Sequence, residues 1–186
     1  MGFCADSFFH VFNRGINKQK IFFNEENYHY FCRKIEKHLS PNCDVIAYCL
    51  MPNHFHLLIS TNESVQKVSS GLKILLSSYT RGVNAEQNRV GSLFQQNTKK
   101  KIINVNDNGK YLKRVFDYIH NNPVNAKLCN SAEDWSYSSY NEYTCLKYSN
   151  YTICNTSITQ NYIDNFTIKL DPLILIENKY NFKNYE

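Results

Sequence analysis

Proline and glycine are scarce in this sequence, with four and six in 186 residues, too few for a linker-rich or disordered chain. No apolar run approaches the roughly 18 residues of a membrane helix, and no apolar h-region follows the N-terminus. Export and membrane spanning are therefore not expected, and a cytoplasmic protein is. The seven cysteines, at 4, 32, 43, 49, 129, 145 and 154, are odd in number and include no C-x-x-C pair. They read as reduced, mostly buried thiols, and a structural zinc site built on paired cysteines is excluded. Internal repeats are absent as well.

What is present is aromatic bulk, fourteen Tyr and twelve Phe, within 42% hydrophobic and 20% charged residues, the profile of a globular domain. The net charge of +5 is concentrated locally. Lys99, Lys100 and Lys101 follow Phe94-Gln95-Gln96, and Lys110, Lys113 and Arg114 cluster nearby. Such a patch beside a reactive site suits a polyanion, since each phosphate contact releases condensed counterions. Taken alone, the same lysines also fit a solvated surface.

The pattern alternates strands and helices. Ser7 to Asn13 reads as a strand ending at Arg14-Gly15. Asn24 is the expected N-cap of a helix with Glu25 and Glu26 in its first turn, and Ser40-Pro41 stops it. Asp44–Met51 and His54–Ser60 form a predicted hairpin around Pro52-Asn53. A long helix is expected from about Ser64 to Asn84, then SLFQQ and KKKIIN as a basic strand pair or extended arm. A further helix runs from Asp107 to Asn122, with Pro123 ending it. Residues 124–145 read as compact irregular structure around Trp135, and the later chain is Asn- and Tyr-rich with one apolar run, Pro172 to Ile176. The reading is α+β, with residues 1–145 as one domain and 146–186 as a C-terminal extension of unassigned role.

Alternation along a strand puts His54 and His56 on one face, where two neutral imidazoles can chelate one divalent ion. The spacing alone equally fits two polar residues on a half-buried strand. Tyr118 and Asn122 are one helical turn apart, about 40° around the axis, with Tyr118 at the edge of the apolar arc of Leu112, Val115, Phe116 and Ile119. Tyr118 could pack with a solvated hydroxyl, and Asn122 could be a C-terminal cap or a neutral metal ligand. Together the types suit phosphoryl transfer. A phenol with a pKa of about 10 is a poor nucleophile, yet attack on phosphorus needs in-line positioning and relief of charge, which a metal supplies.

The segments AYCLMPNHFHLLIST (47–61), FHVFNRG (9–15) and YIHNNPVNA (118–126) closely resemble the HUH single-tyrosine transposases, and most of all the REP-associated tyrosine transposases. Matches at Gly91 to Gln95 and Trp135 to Tyr140 follow in the family's order, so the resemblance spans residues 8 to about 143. It implies an antiparallel sheet flanked by helices, ferredoxin-like. It also implies a metal-dependent transferase that cleaves and rejoins single-stranded DNA, typically at hairpins, through a 5′-phosphotyrosine. His54 and His56 would bind Mg²⁺ or Mn²⁺ with Asn122 as third ligand, Tyr118 would attack, and Arg14, Lys99, Lys100 and Lys101 would hold DNA. The resemblance leaves monomer and homodimer both open. Two departures fall on positions expected to touch DNA. Gln96-Asn97-Thr98 and three lysines replace an Arg-Tyr-Lys type stretch, and Asn125 stands where relatives often have Arg. The rival readings are a domesticated, non-cleaving binder of structured single-stranded nucleic acid and a metal-dependent hydrolase in which water attacks.

Overall fold

The stretch SFFHVFNR is dense in aromatic and β-branched side chains, and it forms an interior strand of the sheet. The computed structural model describes residues 2–62, 65–105, 109–144 and 151–162. Strands β1 (Ser7–Arg14), β2 (Asp44–Met51), β3 (His54–Thr61) and β4 (Lys99–Ile103) make one antiparallel sheet in the order β2-β3-β1-β4. The helices are α1 (Glu25–His38), α2 (Val65–Glu86), α3 (Lys110–Asn125), α4 (Tyr140–Thr144) and α5 (Thr156–Tyr162). The fold class is thus α+β, an antiparallel sheet flanked by helices. No helix among the described residues is long and apolar enough to cross a membrane.

Register decides which side chains meet. In the β1–β3 pair Arg14 lies opposite His54, Phe12 opposite His56 and His10 opposite Leu58. In the β1–β4 pair Phe12 faces Lys99, Val11 faces Lys100 and His10 faces Lys101. Opposed residues share a face, so His10, Phe12, Arg14, His54, His56, Lys99 and Lys101 project to one side. Phe9, Val11, Phe55, Leu57 and Ile59 project to the other, into a core closed by α1 and α2. On the histidine side, Leu112, Val115, Phe116 and Ile119 of α3 pack on Ile46, Ala47, Cys49, Met51 and Leu58.

The N-cap of α1 is as expected, Asn24 Oδ1 accepting the N–H of Asn27 at 3.0 Å. The start of α2 at Ser64 and of α3 at Asp107 lie outside the described residues, as does the run Pro172 to Ile176. SLFQQ and KKKIIN do not pair with each other. They lie end to end along β1, with Phe94 bridging Gly15 and β4 continuing the edge. Residues 151–154 pack on the domain: Ile153 and Cys154 join the core, their N–H groups donate to Glu142 Oε2 at 2.9 and 2.8 Å, and Asn155 N–H donates to Val45 O.

Pro123 does not end α3, which continues to Asn125. Losing one N–H in the last turn costs a single helical bond, and the stop comes three residues later. Lys127 takes a left-handed conformation, φ 58°, its N–H bonds to Val124 O and that of Leu128 to Pro123 O, both at 2.9 Å. This is the Schellman pattern, which satisfies the terminal carbonyls.

The free side of β2 is covered by the segment around Trp135 to Ser139. Leu50 N–H donates to Tyr137 O at 2.9 Å, Ser139 N–H to Tyr48 O at 3.0 Å, and Trp135 Nε1 to Leu50 O at 3.1 Å. His120 of α3 meets Ser139 Oγ at 2.7 Å, tying that helix to the same strap. The irregular stretch anchored by Trp135 therefore closes a sheet edge.

Candidate active site

His54 and His56 stand on β3 with ring centroids 5.0 Å apart, directed to the side that α3 covers. Pro52 and Asn53 set where this strand begins. Pro52 O accepts from Ile21 N at 2.8 Å, and Asn53 O from Gly15 N at 2.8 Å, so the turn is pinned to the end of β1. Gly15 is required at that end, because a Cβ there would fall 2.1 Å from Gln19 O.

The outward nitrogen of each histidine follows from what the inner one does. Asn53 Oδ1 lies 2.6 Å from His54 Nδ1, and as a carbonyl oxygen it only accepts, so His54 carries its hydrogen on Nδ1 and keeps a lone pair on Nε2. Asn53 is itself oriented by donating from Nδ2 to Lys18 O at 3.3 Å. His56 Nδ1 is 2.9 Å from His10 Nε2, while His56 Nε2 is buried without a hydrogen-bond partner among the described residues. A buried imidazole nitrogen of that kind fits a metal ligand.

Burial sets the charge state. It depresses the pKa of His54 to about 4, helped by the neighbouring Arg14 guanidinium, and pushes His56 well below its ordinary value, with His54 and His10 adding to the effect. His10 falls to about 3 through burial and the positive charge of Lys101. All three are neutral at pH 7, the form in which imidazole binds metal.

Tyr118 approaches from α3. Its ring centroid is 5.5 Å from that of His56 and 6.1 Å from that of His10, edge-on to both. It is half-buried at the border of the apolar contact, as the arc of Leu112, Val115, Phe116 and Ile119 implies. Asn122, 8% exposed, bends back one turn so that Nδ2 donates to Tyr118 O at 2.9 Å. Its amide is thereby fixed on the side of the helix that carries the tyrosine. No group of three or more His, Cys, Asp or Glu placed to hold a metal occurs among the described residues. Asn122 carries an amide oxygen, a neutral donor of a type that can serve beside two imidazoles.

The basic residues divide. Arg14, Lys99 and Lys101 share the histidine face, whereas Lys100 points to the α2 side with its Nζ 4.7 Å above the Phe3 ring. There, Lys100 and Gln96-Asn97-Thr98 help line a cleft of about 650 Å³ with Ser69, Lys73 and Ser77 of α2. That cleft is on the far side of the sheet from Tyr118. Gln96, Asn97 and Thr98 thus lie along that cleft.

Two contributors were not singled out from sequence, Asn53 and His10. Asn53 was visible as a turn residue beside His54. His10 lay within FHVFNRG, and strand alternation groups it with Phe12 and Arg14, but only the register of β1 on β3 brings it to His56.

Residues 5–122 match the family profile described as "Transposase IS200 like". A Haemophilus influenzae protein classed as a REP-associated tyrosine transposase is 26% identical over 106 residues, covering 52% of this chain and 58% of the relative. The chain thus aligns with less than two thirds of that relative's length. Among solved structures, a REP-associated tyrosine transposase bound to a REP hairpin superposes with a TM-score of 0.63 at 16% identity, covering 78% of this chain and 83% of the other. That likeness shows a shared fold.

Proposed function

Because the chain belongs to the IS200-like transposase family, we propose that it cleaves and rejoins single-stranded DNA at hairpins, with Tyr118 as nucleophile and His54, His56 and Asn122 as ligands of Mg²⁺ or Mn²⁺. The observation that carries this reading is the convergence of Tyr118 with the buried, partnerless Nε2 of His56, from elements 62 residues apart in the chain. The hairpin-bound relative supports structured single-stranded DNA as the substrate.

In the reaction Tyr118 Oη attacks phosphorus, the O–P bond forms, and the bond to the 3′ oxygen breaks. The 5′-phosphate remains on the tyrosine and a 3′-hydroxyl is freed. Because the phosphotyrosine conserves the diester's energy, a 3′-hydroxyl can reverse the step and join strands without ATP. A bound divalent ion would relieve charge on the phosphate oxygens. Arg14, beside His54, and Lys99 and Lys101, beside Phe12 and His10, would neutralise flanking phosphates, and the packing of α3 on β2 and β3 would hold the phenol in place for attack.

Labelled hairpin DNA incubated with protein and Mn²⁺ tests this. A covalent adduct abolished by Tyr118→Phe is expected. Binding without any adduct would indicate a non-cleaving module, and free 5′-phosphate ends that survive Tyr118→Phe would indicate hydrolysis by water. Either result overturns the proposal.

A further inference from the structure

The contact between His10 and His56 has a direction, and the reaction as proposed requires only one of the two. We propose that His10 is a positioning residue that accepts the Nδ1 hydrogen of His56 and thereby holds His56 in the tautomer whose Nε2 can bind a metal. This inference rests on the metal reading above.

The two nitrogens, His10 Nε2 and His56 Nδ1, are 2.9 Å apart, and the rings stack with centroids 5.0 Å apart at 27°. Both residues are buried, His10 at 0% and His56 at 5% exposure, so the contact is shielded from competing water. His10 reaches His56 diagonally across the β1–β3 pair, since the register places it opposite Leu58 and places Phe12 opposite His56. Phe12 lines the contact, 4.9 Å from His10 and 5.7 Å from His56 between centroids.

One hydrogen occupies the space between the nitrogens. In one arrangement it belongs to His56 Nδ1 and is donated to His10 Nε2, so His56 Nε2 keeps its lone pair and His10 carries its own hydrogen on Nδ1. In the other it belongs to His10 Nε2, His56 Nδ1 accepts, and the hydrogen of His56 sits on Nε2. A protonated Nε2 can donate to a phosphate but cannot ligate a cation. Only the first arrangement agrees with a metal at His56. It parallels the neighbouring strand position, where Asn53 Oδ1 fixes His54 in the same tautomer. Histidine ligands ordinarily need such a partner on the second ring nitrogen. The two ligands here would draw theirs from different elements, one from the β2–β3 turn and one from β1.

Long-range proton–nitrogen correlation spectra of the metal-free protein report the tautomer directly, a quantity that a purely packing role for His10 would not set. Hydrogen on Nδ1 is expected for both His10 and His56. Mn²⁺ binding by calorimetry or electron spin resonance gives a second readout. His10→Gln, whose terminal amide oxygen reaches the place of Nε2, should bind within about 3-fold of wild type, and His10→Phe about 10- to 100-fold more weakly. A spectrum with hydrogen on His56 Nε2, or wild-type affinity in His10→Phe, overturns the inference. Wild-type protein that fails to bind Mn²⁺, or binding indifferent to His54→Ala and His56→Ala, overturns the metal reading and this inference with it. Binding that needs both histidines yet ignores His10→Phe overturns the role of His10 alone. Should His10→Phe fail to fold, the wild-type spectrum decides.

Discussion

Lys100 and Lys101, adjacent in sequence, leave opposite faces of the sheet, one beside Val11 and the α2 side, the other beside His10 and the histidines. The lysine run is therefore two surfaces and not one. If DNA lies over Tyr118, Lys99→Ala and Lys101→Ala should each weaken hairpin binding and lower the dependence of log affinity on log salt by about 1 per lost phosphate contact. Lys100→Ala should leave the slope unchanged. Titrations at several salt concentrations separate these outcomes, and an equal effect of all three substitutions would contradict the division.

The carbonyl of Asn53 holds the His54 ring through the 2.6 Å contact at Nδ1. Asn53→Ala removes that acceptor, and Mn²⁺ affinity should fall by about 10-fold or more. Asn53→Asp retains an acceptor oxygen and should stay within a few-fold of wild type. Calorimetric titration checks both, alongside a thermal melt to show that the turn still forms.

Acid should unfold the protein through its buried histidines. His120 is completely buried and its pKa is lowered to about 3 by burial, while in the unfolded chain it returns to 6.5. Above 6.5 both states are neutral at this site and no contribution changes. Between 6.5 and about 3 only the unfolded state takes up the proton, so stability falls as pH falls, by about 1.4 kcal/mol per unit. At pH 5 the loss from His120 should be about 2 kcal/mol relative to pH 7. Urea denaturation at the two pH values measures it, and His120→Gln, which keeps a group facing Ser139 Oγ, should remove that share of the pH dependence.

Two glycines of α2 differ in what surrounds them. A Cβ at Gly71 would sit 2.1 Å from the backbone oxygen of His38, which cannot yield without moving α1, whereas one at Gly82 would meet the Tyr30 ring at 2.7 Å. Gly71→Ala should destabilise by about 3 kcal/mol. In Gly82→Ala the strain is relieved by a shift of Tyr30 and offset by the helix preference for Ala of about 1 kcal/mol, leaving a small net change. Chemical denaturation of the two variants should show that contrast.

The hairpin bearing His54 and His56 was legible because local rules agree there: two short apolar, strand-prone runs, and a two-residue break at Pro52-Asn53. Tyr118 and Asn122 were legible as helical neighbours for the same reason. His10 was not, since its partner is 46 residues away and the register depends on how the sheet assembles. The split of the lysines was hidden likewise, because alternation shows that Lys100 differs from its neighbours without showing which face is which. At Pro123 a local rule misled. The proline disfavours helical backbone at Asn122, but one lost bond is outweighed by buried packing along α3 and by the termination at Lys127.

The strap from Trp135 to Ser139 shields one margin of the sheet, and β4 forms the other. That margin consists of Lys99, Lys100 and Lys101 followed by the exposed Ile102. Lysines on the outermost strand of the described sheet place like charge on both faces of the ribbon, which disfavours its pairing with the same strand of another molecule. Whatever each lysine contributes toward DNA, the triplet therefore acts against self-association, and its simultaneous replacement by neutral residues would favour it.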